Sequence, residues 1–198
     1  MPNKILNKAG FLIFAPAKKG GLEFLSLVVR HSVTKKRHYD FPKGHIESGE
    51  THLETAVREV AEEVQSASEL HIIEGFNHST KYTNSRGQVI KIRWYVGFLT
   101  PESLRTGKGI PAAMRYAYAR DKVHEKSLRP SAEHEKVVFV PPNKAKATFL
   151  KERLVAVKAA QAFLEERGFT APAKATIFPR HRTISGKKYK TYYSRRKR

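Results

Sequence analysis

Three carboxylates, Glu59, Glu62 and Glu63, stand within the stretch "REVAEEVQ" of a chain that carries 38 Lys and Arg against 18 Asp and Glu. Acids are scarce here, and crowding them raises like-charge repulsion unless a cation offsets it. On a helix, residues at i, i+3 and i+4 share a face, so this spacing predicts that the three side chains project together. Hard oxygen donors on one rigid face suit Mg2+ or Mn2+, with water and a phosphate completing the shell. The chain has no cysteine and the cluster no histidine, which makes zinc the poorer match. The bland alternative is a solvated acidic helix face.

That helix is predicted over "THLETAVREVAEEV". Thr51 and Glu54 form a capping box, and Leu53, Val57, Val60 and Val64 form an apolar stripe opposite the carboxylates. Before it, "GFLIFA" and "LEFLSLVV" read as strands, and "TKKRHYDFPKGHIESGE" as a loop. After it, "LHIIEGFNHSTKYT" and "QVIKIRWYVGFLT" read as strands around a turn at "NSRG". "KVVFV" is a short strand, and "KAKATFLKERLVAVKAAQAFLEERG" is a long helix stopped by Gly168. Trp94 reads as core. No βαβ alternation is present, so the expected class is α+β with a mixed sheet.

The spacing around the carboxylates is more specific than the carboxylates themselves. Gly44, Glu50, Arg58, Glu59, Val60, Glu62 and Glu63 stand at G-x5-E-x7-R-E-U-x-E-E, where U is aliphatic. This resembles the Nudix box. The resemblance implies a mixed sheet between helices, an α/β/α sandwich, and hydrolysis of a nucleoside diphosphate linked to another group. It implies Mg2+ or Mn2+ held by Glu59 and Glu63, with Glu62 bound directly or through water and the Gly44 carbonyl as a further ligand. Arg58 would orient the carboxylates and Glu50 would brace the loop. One departure stands out: Gln65 and Ser66 occupy the places of a Gly and an aliphatic residue. Without that Gly, either Gln65 makes a strained turn or the helix runs on.

Beyond the box, "DFPKGHIESGETHLETAVREVAEE", "LHIIEGF" and the S-x-E-H of Ser131, Glu133 and His134 are similar to the asymmetric diadenosine tetraphosphate hydrolases. RNA 5′-pyrophosphohydrolases carry related sequences. The similarity runs from Gly10 to Leu164, interrupted near residues 102–130. It implies that Lys43, Lys81 and Lys91 lie near a polyphosphate and that His45 and His134 bind phosphate or substrate. Tyr82 would stack on adenine, and Glu133 would act as metal ligand or general base. The rival readings are loop-bracing histidines, a core-facing Tyr82 and a surface Glu133. Phe139 stands where relatives often carry tryptophan.

The net charge of +20 points to a polyanionic partner. From Ala171 onward there are ten Lys and Arg and no acid, so residues 171–198 read as an extension beyond a catalytic domain over 1–170. Seven more Lys and Arg fall between Arg105 and Arg129, in an expected basic insertion. In the tail, Arg180, Arg182, Lys187, Lys188, Lys190, Arg195 and Arg196 alternate with Tyr189, Tyr192 and Tyr193, a mix suited to RNA phosphates and stacked bases. A nuclear address or a solubilising tail is the alternative. No apolar run is long enough for a membrane span and the start lacks a secretory pattern, so an intracellular home is expected, cytoplasmic or organellar. The leading reading is an Mg2+-dependent hydrolase of dinucleoside polyphosphates. The others are an RNA 5′-pyrophosphohydrolase and a ribosome-associated protein using the fold as an RNA-binding scaffold.

Overall fold

A computed structural model describes residues 5–17, 21–30, 36–65, 69–100, 128–142 and 149–169, together with 183–184 and 187–188. In chain order the strands are β1 Ile5–Pro16, β2 Leu22–Arg30, β3 Arg37–Asp40 and β4 Lys43–His45. Helix α1, His52–Glu63, follows, then β5 Val64–Gln65, β6 Glu69–Ile72, β7 His78–Thr83 and β8 Val89–Thr100. Last come β9 Arg129–Pro130, β10 Lys136–Val140, helix α2 Lys151–Glu166, β11 Thr183–Ile184 and β12 Lys187–Lys188. Most of the basic insertion and of the tail lies outside the described residues. Within the tail, β11 pairs antiparallel with β12.

Eight of the described strands form one mixed sheet ordered β10-β2-β1-β8-β6, with β3 on β2, β4 on β1 and β7 on β8. β1 runs parallel to β8 from Ile5↔Val89 to Ile13↔Gly97, and its pairings with β2 and β4 are antiparallel. Strand alternation sends successive β1 side chains to opposite faces. Ala9, Phe11 and Ile13 join Ala56, Val60 and Val64 from α1 and its end in one cluster. Leu12 and Phe14 join Trp94, Ile90, Ile92 and the α2 residues Ala156, Val157, Ala160 and Leu164 in the other. The sheet therefore lies between two helical layers, as the α+β reading requires. Trp94 is fully buried, and its indole N–H donates to Thr80 Oγ1 at 2.8 Å, which removes the cost of an unpaired donor.

The stretch from Lys36 to His45 is not simply a loop. Four of its residues pair with β2 and three with β1, because β2 and β1 diverge and each leaves an edge open. The run "LHIIEGFNHSTKYT" is two strands, β6 and β7, broken at Gly75 with φ of 88°. The turn at "NSRG" is formed as expected. Gly87 N–H donates to the Asn84 carbonyl, and Asn84 Oδ1 accepts from the Arg86 and Gln88 amides, each at 3.0 Å. Gly168, φ 77°, ends α2, with Phe169 N–H donating back to the Leu164 carbonyl at 2.9 Å. Among the described residues no helix is long and apolar enough to cross a membrane.

Candidate active site

Helix α1 starts as the sequence indicates. Thr51 Oγ1 accepts from the Glu54 N–H and the Glu54 carboxylate from the Thr51 N–H, closing the capping box. Its orientation differs from the expected stripe. Val57 is 38% exposed, whereas Thr55, Ala56, Glu59 and Val60 are buried. The helix is rolled toward the β4 loop, so Glu59 sits at the edge of the buried face instead of opposite it. The reason is local: Glu59 packs against the Gly44 backbone, which has no side chain to keep it away. The helix end differs too. Gln65 makes no left-handed turn and the helix does not run on. Val64 is extended, φ −120° and ψ 82°, and the chain passes into β5, paired with β9.

Arg58 ties this helix to the loop before it. Its Nε and Nη2 donate to Glu50 Oε1 and Oε2 at 2.7 and 3.1 Å, and Nη2 also donates to the His45 carbonyl at 3.0 Å. Nη1 donates to Glu59 Oε1 at 2.8 Å and to Glu62 Oε2 at 3.0 Å. A planar guanidinium with forked donors does this; an ammonium would not. Glu50 further accepts from Thr55 Oγ1 at 2.7 Å and from the Glu47 N–H at 3.1 Å, so its carboxyl is held well below the ordinary range, chiefly by Arg58.

Glu63 turns the other way. Its Oε2 accepts the Lys43 backbone N–H at 3.0 Å, and its Oε1 lies 3.8 Å from His134 Nε2. Ser131 Oγ is 2.9 Å from His134 Nδ1, and the Ser131 N–H donates to the Glu63 carbonyl at 3.3 Å. The S-x-E-H segment thus delivers its histidine, braced by its serine, to the Glu63 carboxylate, while Glu133 is exposed beside it. Burial pushes the Glu63 carboxyl up to about 7, and Glu59 and Asp40 add to this. Burial raises Glu59 as well, and it lowers His134, which favours a neutral imidazole.

Among the described residues no group of three Asp, Glu or His side chains is already gathered as a metal cage: each α1 carboxylate is turned to a protein donor. The chemistry of the donors nevertheless fits a divalent cation. Buried Glu59 and half-buried Glu63 are both raised by burial, although Arg58 and Lys43 pull them down, and all the donors are hard oxygens.

Lys81 stands directly across from Lys91 in the β7·β8 register, and both are exposed. Because Ile90 and Ile92 point to the α2 side, Lys91 and its partner point to the α1 side. Like charges facing each other across a ladder are unfavourable without an anion between them. His45 is exposed on β4, in register with Lys8 of β1, and burial and the Lys8 and Lys43 charges lower its pKa. Tyr82 is half-buried under α2, with the Arg153 guanidinium 5.1 Å from its ring centre.

Sequence reasoning missed two residues at this site. Asp40 Oδ2 pairs with Lys43 Nζ at 2.8 Å, and its Oδ1 accepts from Arg153 Nε at 2.7 Å. Burial alone would raise the Asp40 carboxyl, but the Lys43 ammonium and Arg153 guanidinium outweigh it and hold the group far below the usual range. The signal was present: Arg153 falls in the apolar stripe of α2, with Ala156, Val157, Ala160 and Leu164.

A family model, NUDIX domain, matches residues 7–161, and the chain belongs to the Nudix family. It is similar to the asymmetrical bis(5′-nucleosyl)-tetraphosphatase of Mus musculus, at 40% identity over 74 residues, 37% of this chain and 48% of the relative. It is also similar to the enzyme of that name from Sus scrofa, at 44% identity over 62 residues, 31% of this chain and 40% of the relative. The chain spans about half the length, or less, of the curated relatives it matches. Among solved structures, a C. elegans Ap4A hydrolase binary complex superposes with a TM-score of 0.60 at 20% identity, over 81% of this chain and 98% of that one. The E. coli ORF135 protein gives 0.52 at 15% identity, over 83% and 94%. At these identities the likeness is one of fold.

Proposed function

We propose that the chain is a divalent-metal-dependent hydrolase of dinucleoside polyphosphates, splitting diadenosine tetraphosphate into ATP and AMP. The observation that carries this reading is the Glu63 carboxylate, half-buried between the Lys43 N–H and His134. The named activity of the curated relatives supports it.

Glu59 and Glu63 would hold Mg2+ or Mn2+, with the Gly44 carbonyl, Glu62 and Glu133 as further direct or water-linked ligands. When bound, the cation would offset phosphate charge and acidify the attacking water. The protein's own groups do the rest. Arg58 keeps Glu59 and Glu62 aimed from one side. Glu63 or Glu133 takes the proton of the water. Lys81 and Lys91 face the polyphosphate, and His45 donates to a phosphate oxygen. Tyr82 packs against the core on the α2 face of the sheet, away from Lys81 and Lys91, so no adenine-stacking role is carried over for it.

Residues 1–170 form the catalytic unit in this reading, and 171–198 an RNA-binding extension. The tail favours a second reading, cleavage at an RNA 5′ end, because Arg and Lys interleaved with Tyr suit single-stranded RNA. A substrate panel with Mg2+ separates them. ATP plus AMP from diadenosine tetraphosphate supports the first reading. Pyrophosphate from triphosphorylated RNA, without dinucleotide turnover, supports the second. Inactivity on both, with co-sedimentation with ribosomes, supports a scaffold role.

A further inference from the structure

The hydrolytic site is built on α1 and the β4 loop, yet one of the least exposed charges among the described residues lies on the other layer. Arg153 of α2 is 1% exposed. Its Nε and Nη2 reach Asp40 Oδ1 and Oδ2 at 2.7 and 3.3 Å. Its Nη2 also lies 3.5 Å from the Tyr82 hydroxyl, and its Nη1 is buried with no hydrogen-bond partner. A buried guanidinium with an orphaned N–H is costly, and a well-packed apolar side chain of similar volume often serves stability as well or better. The Tyr82 and Trp94 rings, 5.1 and 5.7 Å away, offset part of that cost but do not require a charge there.

Asp40 shows what the charge does. Its Oδ1 accepts from Arg153 and from the Phe41 N–H at 2.8 Å, while Oδ2 pairs with the Lys43 ammonium at 2.8 Å. One carboxylate therefore fixes both ends of Phe41-Pro42-Lys43. The Pro42 carbonyl accepts the Phe11 N–H at 2.9 Å, which seats this turn on β1. The turn then presents the Lys43 N–H to Glu63 at 3.0 Å. A continuous path of bonded groups runs from α2 through Asp40 and Lys43 to the Glu63 carboxylate of α1. It crosses from one side of the sheet to the other at the edge made by β4.

We propose that Asp40 and Arg153 are positioning residues for hydrolysis: the buried Arg153–Asp40 pair sets the Lys43 turn, and the turn sets the orientation of Glu63. This rests on the hydrolytic reading above, and it deepens it by giving α2 a part in the site. It also assigns the Lys43 ammonium to Asp40 in the absence of substrate, so the backbone N–H is the part of Lys43 that meets Glu63.

The test uses Arg153→Met, Asp40→Asn and the conservative Arg153→Lys in the full chain, with two readouts. The first is hydrogen exchange of the Lys43 amide by NMR, which needs no substrate. Arg153→Met and Asp40→Asn should lower its protection by about tenfold or more relative to the Trp94 amide, and Arg153→Lys should restore much of it. The second is turnover of diadenosine tetraphosphate with Mg2+. Assayed well below their melting temperatures, which should fall because each leaves a buried charge without its partner, the two disruptive variants should lose about 10- to 100-fold in kcat with KM changed about twofold or less. Unchanged Lys43 protection in both disruptive variants would overturn the proposal. So would wild-type kcat in Arg153→Met, or a fall in kcat that tracks melting temperature across all three variants. If wild type hydrolyses no dinucleotide, the substrate reading fails, while the exchange readout still decides the positioning claim.

Discussion

The Glu59 carboxylate occupies the space that a side chain on Gly44 would need: a Cβ there would lie 1.8 Å from Oε1 and 2.4 Å from Oε2. The first residue of the G-x5-E-x7-R-E pattern is thus a glycine because the fourth lies against its backbone. Gly44→Ala should expel Glu59 from its place and cut kcat by about 100-fold or more. Circular dichroism should still report a folded protein. Wild-type turnover would mean that this close approach has no part in catalysis.

Glu63 gives a pH-dependent prediction. Its folded value, about 7, lies above the ordinary 4.5, so the folded state holds more protons than the unfolded state between those values. Stability is therefore lost as pH rises across that window, by about 3 kcal/mol at most. Without metal at pH 8, Glu63→Gln should melt higher than wild type, and the gap should close near pH 4. Added Mg2+ should stabilise wild type and leave the variant unmoved. Equal melting temperatures at pH 8 would contradict a Glu63 carboxyl raised by burial.

Arg58 serves four acceptors with a forked group, so lysine is no substitute. Arg58→Lys should lower kcat by about tenfold or more, because the loop and the helix lose their shared brace. Steady-state kinetics on the dinucleotide checks this, and an unaltered kcat would show that the helix keeps its carboxylates aimed without help.

The tail prediction is separable from the chemistry. Removing residues 171–198 should reduce the slope of log affinity for single-stranded RNA against log salt, by about 0.7 for each RNA phosphate that the tail neutralises. Dinucleotide turnover should persist. An unchanged slope would exclude the tail as the RNA-binding segment.

Much of the fold and part of the site were legible in the residues. The capping box, the hairpin turn at Asn84–Gly87, the stop at Gly168 and the core position of Trp94 all follow from local chemistry, and all are found. What was not legible depends on distant partners. Arg37–Asp40 and Lys43–His45 carry turn residues and charges, and they become strands because β2 and β1 offer open edges. Val57 repeats with the apolar stripe, but the packing of Glu59 on Gly44 rolls the helix and leaves Val57 exposed. Asp40 and Arg153 are 113 residues apart, so neither points to the other in sequence. In S-x-E-H the acid reads as metal ligand or base and the histidine as a substrate contact, whereas the geometry brings the histidine to Glu63.

The most direct test of the carboxylate chemistry incubates wild type and Glu63→Gln side by side with diadenosine tetraphosphate and Mg2+, and quantifies products by chromatography. Wild type should give ATP and AMP in equal amounts, and the variant neither. Equal turnover by the two proteins, or two ADP in place of ATP and AMP, would contradict the assignment of Glu63 and of the bond cleaved.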